Sequence, residues 1–301
     1  MPCPWQPIEI DGSAPGSEPR DAADAPLAAL TSGDIPAVVV RHAFPESDCQ
    51  HLIQRLIASE LMFDSQDERI HQTALSSSQS DRWTQTGSNP TASSHRRIDI
   101  GTSLGNHGDD QEIFFRRAAE THQLFGQLFS RSPNPIQLVY EWLQRLTPNK
   151  RVITAIESDG RQYGPAIIRV HYGGYTYPPH FDSVRNREAR TGYSVYRFDH
   201  QLAGVLCLQN TVRDGQVAQG VIYQQAWEPS LDPYLKNNRF HDFVQQNDVS
   251  HCLVELQPGD LYFFNTGMIH EVPGVAGTLP RVVLATFIGY SNDDPDVMVW
   301  S

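Results

Sequence analysis

The sequence predicts a mainly β protein with flanking helices, an antiparallel β-sandwich or jelly roll. Three observations carry that reading. The first half holds long amphipathic helical patterns. From residue 151 onward short β-rich runs alternate with turns. Helices first and then many short strands is the pattern of helices packed against such a sandwich. Third, hydrophobic residues are 39%, charged residues 19% and aromatics 10% of 301 residues, a globular composition with length for a sizeable core.

The elements follow in order. Residues 1–34 are rich in Pro, Gly, Ala, Ser and Asp and read as a loosely packed arm. Residues 35–301 are expected to form a single domain, with a helical support region over 35–150 and a jelly-roll core over 151–301. Ile35–Val40 is a short β-branched run. Pro45-Glu46-Ser47-Asp48 opens a helix with Leu52, Ile53, Leu56, Ile57 and Leu61 on one face. The polar segment 64–95, around Trp83, reads as a long covering loop. Arg96–Ile100 looks like a strand. Two helices follow, from Asp109 to about Ser130 and from Pro135 to Leu146. The strand-like runs of the second half are Val152–Ile156, Ala166–Tyr172, Ala203–Gln209, Gly220–Gln224, Cys252–Leu256, Asp260–Phe264 and Val282–Tyr290.

Charge and cysteine content narrow the function. Lys plus Arg is 23 against 35 Asp plus Glu, a formal net charge of −12, which speaks against nucleic acid and anionic membranes as partners. Cys3, Cys49, Cys207 and Cys252 lie far apart with no C-x-x-C pair, so they read as reduced thiols. The N-terminus lacks a basic and apolar leader and no apolar run is long enough to span a membrane, so a soluble, cytoplasmic protein is expected.

The chemistry concentrates in two places. Tyr177-Pro178-Pro179-His180-Phe181-Asp182 holds an H-x-D, and on a strand residues i and i+2 face the same way. One metal ion could therefore meet both His180 and Asp182. His270, after the run Leu261–Phe264 introduced by Pro258-Gly259-Asp260, is the best third ligand. Two histidines and a carboxylate on one face leave three positions open, the facial triad of non-haem Fe(II) oxygenases. A second H-x-D, His107-Gly108-Asp109, lies in Gly-rich sequence before a helix and reads as a loop. Eleven residues beyond His270, Arg281 enters an apolar strand. A guanidinium there needs an anionic partner and suits a bidentate carboxylate.

Arg169-Val170-His171-Tyr172, His180-Phe181-Asp182, Pro258–Phe264, His270-Glu271-Val272 and Arg281 together resemble the Fe(II)/2-oxoglutarate-dependent dioxygenases. Within them the chain is most similar to the prolyl-4-hydroxylase-like branch and to small-molecule tailoring oxygenases and halogenases. The resemblance covers roughly residues 165–290. It implies a double-stranded β-helix, the cupin-like jelly roll, with Fe(II), 2-oxoglutarate and O2 as cofactor and co-substrates, and with ascorbate as a stimulant. It also implies oxidative decarboxylation of 2-oxoglutarate to succinate and CO2. Carried over by position, His180, Asp182 and His270 ligate iron, Arg281 binds the 2-oxoglutarate carboxylate with Arg169 next in line, and Tyr172 adds a hydroxyl to it. The halogenating members have Ala or Gly where this chain has Asp182, so hydroxylation or a related oxidation is expected.

The segment Ser183–Gln201 is expected to overhang the open end as a mobile lid. Its Arg185, Arg187, Arg190 and Arg197 suggest an anion-binding role, and Tyr193 and Tyr196 an apolar one. Arg185, Arg187, Arg190 and Tyr193 are the substrate-binding candidates. Residues 227–248, with Trp227, Tyr234, Phe240 and Phe243, read as a second covering insertion. The reading is thus hydroxylation of an unactivated C–H bond in a small carboxylate-bearing metabolite. The alternatives are a cupin-like metal enzyme that does not use 2-oxoglutarate, and an oxygenase of a peptide or protein side chain.

Overall fold

The computed structural model describes residues 5–13, 25–64, 84–85, 96–106 and 110–301. The H-x-D at His107–Asp109, Trp83 and nearly all of the 64–95 segment lie outside the described residues.

In chain order the elements are β1 (Ile8–Asp11), α1 (Ala25–Ser32), β2 (Ala37–Arg41), α2 (Glu46–Ala58), β3 (Thr84–Gln85), β4 (Arg96–Ile100), α3 (Gln111–Leu128), α4 (Pro135–Leu146), β5 (Arg151–Thr154), β6 (Ile167–Tyr172), β7 (Tyr177–His180) and β8 (His200–Gln209). There follow β9 (Val212–Arg213), β10 (Gln216–Val217), β11 (Gly220–Ala226), α5 (Asp232–Lys236), α6 (Phe240–Gln246), β12 (His251–Val254), β13 (Leu261–Asn265), β14 (Met268–Val272), β15 (Arg281–Tyr290) and β16 (Asp296–Trp300). The expected helices are present: Asp110 caps α3 through Ile113 N (3.0 Å), and Asn134 caps α4, which has Pro at its first turn.

Two sheets face each other. The large sheet runs β1-β2-β13-β8-β15-β6-β4-β3, with β16 on β15 and β5 on β16. The small one runs β12-β11-β14-β7. Alternation along β8 shows the layering. Leu202, Leu206 and Leu208 join the core beneath α2 and α4, which supply Leu52, Leu56, Val139 and Leu143. Ala203, Val205 and Cys207 face the small sheet, against Ile222, Cys252 and Val254. Small inward residues, with Val283 and Ala285 on β15, leave room between the sheets. The mainly β architecture, with helices packed on the outer faces of the sheets, agrees with the predicted jelly roll.

The N-terminal stretch departs from the expected arm. β1 pairs in parallel with β2, Ile8 opposite Val38, and Trp5 is buried with its indole N–H on Gly33 O (2.9 Å). This pairing is with residues 30 positions on, so no local pattern announces it. The 35–150 region likewise lends β2 and β4 to the large sheet. The Gly259 turn is tight for a physical reason: φ is +94°, and a Cβ there would sit 2.1 Å from Phe44 O. Cys49, Cys207 and Cys252 are buried. Among the described residues no helix is long and apolar enough to cross a membrane.

Candidate metal centre and its cavity

Strand pairing assembles the site. β14 lies beside β7 with His270 directly opposite His180, so two imidazoles from positions ninety residues apart share one face. β7 ends at His180, and Asp182 follows just beyond it. There Asp182 N donates to Thr266 O (2.9 Å) and the Thr266 hydroxyl donates to Asp182 O (2.9 Å). Thr266, in the turn between β13 and β14, thus fixes the carboxylate's backbone. Nothing in the sequence marked it.

The ligand atoms of His180, Asp182 and His270 lie within 4.8 Å of one another. Asp182 Oδ2 is 3.7 Å from His180 Nε2 and 3.6 Å from His270 Nε2. Each ring is held by a carbonyl two residues back. His180 Nδ1 donates to Pro178 O (2.7 Å) and His270 Nδ1 to Met268 O (2.9 Å). A carbonyl only accepts, so both Nδ1 atoms carry a proton and both Nε2 atoms are the ones turned toward Asp182. Burial, with the His270 ring beside it, pushes His180 down to about 4, so its imidazole is neutral near pH 7, as a metal ligand must be. Burial raises the Asp182 carboxyl, but His180, His270 and Arg187 outweigh that and hold it below the usual carboxylate range. Two imidazole nitrogens and one carboxylate on one face can hold Fe(II). The Phe264 ring packs edge-on to His270, 4.9 Å between centroids.

The triad lines a cavity of about 650 Å³, counting the space at its open mouth. The facing wall is β6 and β15. In their register Arg281 lies opposite His171 and Val283 opposite Arg169. Arg169, His171 and Arg281 all line the cavity. Arg281 is buried and makes no hydrogen bond or ion pair with any described residue. His171 Nε2 is buried without a hydrogen-bond partner. Burial, and then the neighbouring Arg281, lowers the His171 pKa well below the usual range, so this imidazole is neutral. An unmatched buried guanidinium beside a neutral imidazole is a receptor for a carboxylate.

Other candidates are placed elsewhere. Tyr172 does not face the cavity. It has the opposite strand parity to His171, and its hydroxyl accepts from Phe63 N (2.8 Å) and donates to Phe63 O (3.0 Å) within the outer core. A co-substrate role for it is corrected on that ground: the cavity-facing neighbour is His171. Arg185, Arg187, Arg190 and Tyr193 do not line the cavity either. Arg185 bonds Asp199 (3.1 Å), Arg187 bonds Asp182 Oδ1 (2.9 Å) and Phe181 O (2.7 Å), and Arg190 pairs with Glu188. Tyr193 is buried in an aromatic cluster with Phe114, Phe115 and Tyr163. Their assignment to the substrate is corrected accordingly. The loop's positive charges are matched by carboxylates that a count of arginines does not weigh. Arg187 nevertheless touches the site through the metal-facing carboxylate. The loop is anchored as well, by buried Val184, Tyr193, Val195 and Phe198.

The 227–248 insertion covers the outer face of the small sheet, not the cavity. Leu231 and Phe240 pack on Val221, Tyr223 and Ile269, and Trp227 stacks on Phe181 at 4.4 Å. Glu271, the residue after His270, points outward and is buried there. It accepts from the Tyr223 hydroxyl (2.5 Å) and lies 2.9 Å from His241 Nε2 on α6.

The family described as carrier-protein-independent halogenase WelO5 matches residues 18–301. Two solved structures of a novel N-substituted L-amino acid dioxygenase from Burkholderia ambifaria AMMD share the fold. One, in complex with alpha-KG, is 16% identical and covers 92% of this chain and 90% of its own, with TM-score 0.53. The other is 14% identical and covers 92% and 91%, with the same TM-score. At such identity the likeness establishes the fold alone. No curated protein matches the sequence. The match over residues 18–301 places the chain in the WelO5 halogenase family, and with it among the Fe(II)/2-oxoglutarate-dependent enzymes.

Proposed function

We propose that this member of the family oxidises, by hydroxylation, an unactivated C–H bond of a small carboxylate-bearing metabolite, without halogen transfer. His180, Asp182 and His270 hold Fe(II), and Arg281 with His171 receives the distal carboxylate of 2-oxoglutarate. Iron(II), 2-oxoglutarate and O2 together supply an oxidant able to take hydrogen from an unactivated carbon, with succinate and CO2 as co-products. The protein's part is to seat the co-substrate, keep water out and aim the substrate.

The observation that carries this reading is the Asp182 carboxylate, held 3.6–3.7 Å from both imidazoles. Three protein donors would leave an iron ion room for a bidentate co-substrate and O2, with none to spare for a halide. The family's description speaks for halogen transfer, and the ligand count speaks against it. The test is product analysis in chloride and in bromide buffer with Fe(II) and 2-oxoglutarate. Free amino acids, N-acylated L-amino acids and small carboxylated natural products form the first substrate panel. N-acylated acids belong there because the similar dioxygenase structures are of an N-substituted L-amino acid enzyme. The expected product gains one oxygen and no halogen. A chlorinated or brominated product overturns the reading.

A further inference from the structure

Arginines around the cavity divide by what already neutralises them. Arg187 lies on Asp182 (2.9 Å) and Arg97 on Asp99 (2.7 Å), so each of these two carboxylates already has a cation. Two guanidiniums remain inside. Arg281 has no ion pair among the described residues. Among the described residues the one ion-pair contact of Arg169 is with Asp99, its Nε 3.9 Å from Oδ1, which is beyond hydrogen-bond length; Asp182 acts on it through space, and that Nε is buried with no hydrogen-bond partner. Asp99 is fully buried and already shared with Arg97.

The register keeps the two apart. Arg281 lies opposite His171, whereas Arg169 lies opposite Val283, one cavity-facing step further along β6. Arg281 and His171 form one receptor. Arg169 forms another, walled by the Tyr177 ring, whose hydroxyl is held by Arg97 (2.8 Å). 2-Oxoglutarate binds the metal at one end and carries a single carboxylate at the other, enough for one of the two receptors. A guanidinium left unmatched in a closed site is unfavourable.

We infer that Arg169 is the receptor for the substrate's carboxylate, so that the substrate is anchored by an anionic end on β6 and not by the 183–201 loop. This rests on the proposed reading, in which Arg281 is engaged by 2-oxoglutarate. The remaining part of the substrate then extends from β6 toward the triad on β7 and β14, between Tyr177 and Val272, which both line the cavity.

The experiment uses the full-length Fe(II) protein without oxygen. Titration with 2-oxoglutarate is followed by the metal-to-ligand charge-transfer band. Absence of that band in the wild type counts against the 2-oxoglutarate reading itself, and removes the premise. Three acids are then added to the saturated complex, N-acetyl-L-leucine, indole-3-acetate and benzoate, each paired with its neutral amide. At least one acid is expected to perturb the band while its amide does not. Arg169→Gln is expected to weaken that response by about 30-fold or more, leaving the 2-oxoglutarate midpoint within about twofold, and Arg169→Lys to recover part of it. The inference is overturned if Arg169→Gln weakens 2-oxoglutarate as Arg281→Gln does, if amides act as well as acids, or if no acid acts.

Discussion

The 183–201 loop and the wall made by β6 and β15 are both arginine-bearing, but only the wall lines the cavity of the His180–Asp182–His270 cluster. In the loop every guanidinium sits on a carboxylate: Arg185 on Asp199, Arg187 on Asp182, Arg190 on Glu188 and Arg197 on Asp294. On the wall, among the described residues, Arg281 has no counter-ion and Arg169 only a distant one. The loop pairs are mostly half exposed, where an ion pair is worth about 0–1 kcal/mol. The wall cations are held between two sheets, where an unmatched charge is costly and an anionic ligand is correspondingly favoured. What separates the wall arginines from the loop arginines is the missing partner, not the charge.

Substitutions can break that comparison, beginning with the largest effect. Asp182→Ala removes the one anionic ligand of the triad, and turnover to succinate is expected to fall to near background with a large loss of Fe(II) affinity. Wild-type iron affinity in that variant would sink the triad. Arg281→Gln removes a charge-assisted pair in a buried site, about 2–5 kcal/mol, or roughly 30- to 4000-fold in 2-oxoglutarate affinity. Iron binding, read by Co(II) titration, stays unchanged. An unaltered 2-oxoglutarate titration hands the role to Arg169.

Arg187→Met tests the one loop arginine that reaches the site. It frees Asp182 Oδ1, and loss of a partner that orients a metal ligand typically costs 10- to 100-fold in metal affinity. Because this guanidinium is half exposed, about tenfold is expected, with no change in 2-oxoglutarate midpoint at saturating metal. Equal metal affinity in the two proteins would reduce Arg187 to a surface pair. The smallest effect belongs to Arg185→Gln, on an exposed pair with Asp199: less than about 1 kcal/mol in urea unfolding and no change in either ligand titration. A marked loss of substrate response in Arg185→Gln would return recognition to the loop.

The clustering of His180, Asp182 and His270 was readable because H-x-D brings two side chains together by spacing, and His270 follows a turn and a strand that can be recognised alone. The alternating runs after residue 151 gave the sandwich for the same reason. Tyr172 was misplaced by one residue of strand parity: the sequence shows that β6 alternates, but not which of His171 and Tyr172 looks inward. The pairing of the loop arginines was not read: Asp199 and Asp294, on Arg185 and Arg197, are 14 and 97 residues away, while the nearby Asp182 and Glu188 hold Arg187 and Arg190. Thr266 was invisible because its contact with Asp182 spans 84 residues. β1 escaped because Pro- and Gly-rich flanks mask a four-residue strand.

β14 has two masters. His270 looks into the cavity, and the next side chain, Glu271, looks the other way and ties Tyr223 and His241 of the 227–248 insertion to the same stretch of backbone. The insertion is therefore not an interchangeable module. A chimera that imports this segment from a relative without matching Glu271 would leave a buried carboxylate stranded one residue from a metal ligand. In directed evolution, transplanting residues 227–248 should therefore be done jointly with position 271, and libraries that vary the two separately will be enriched in poorly metallated proteins.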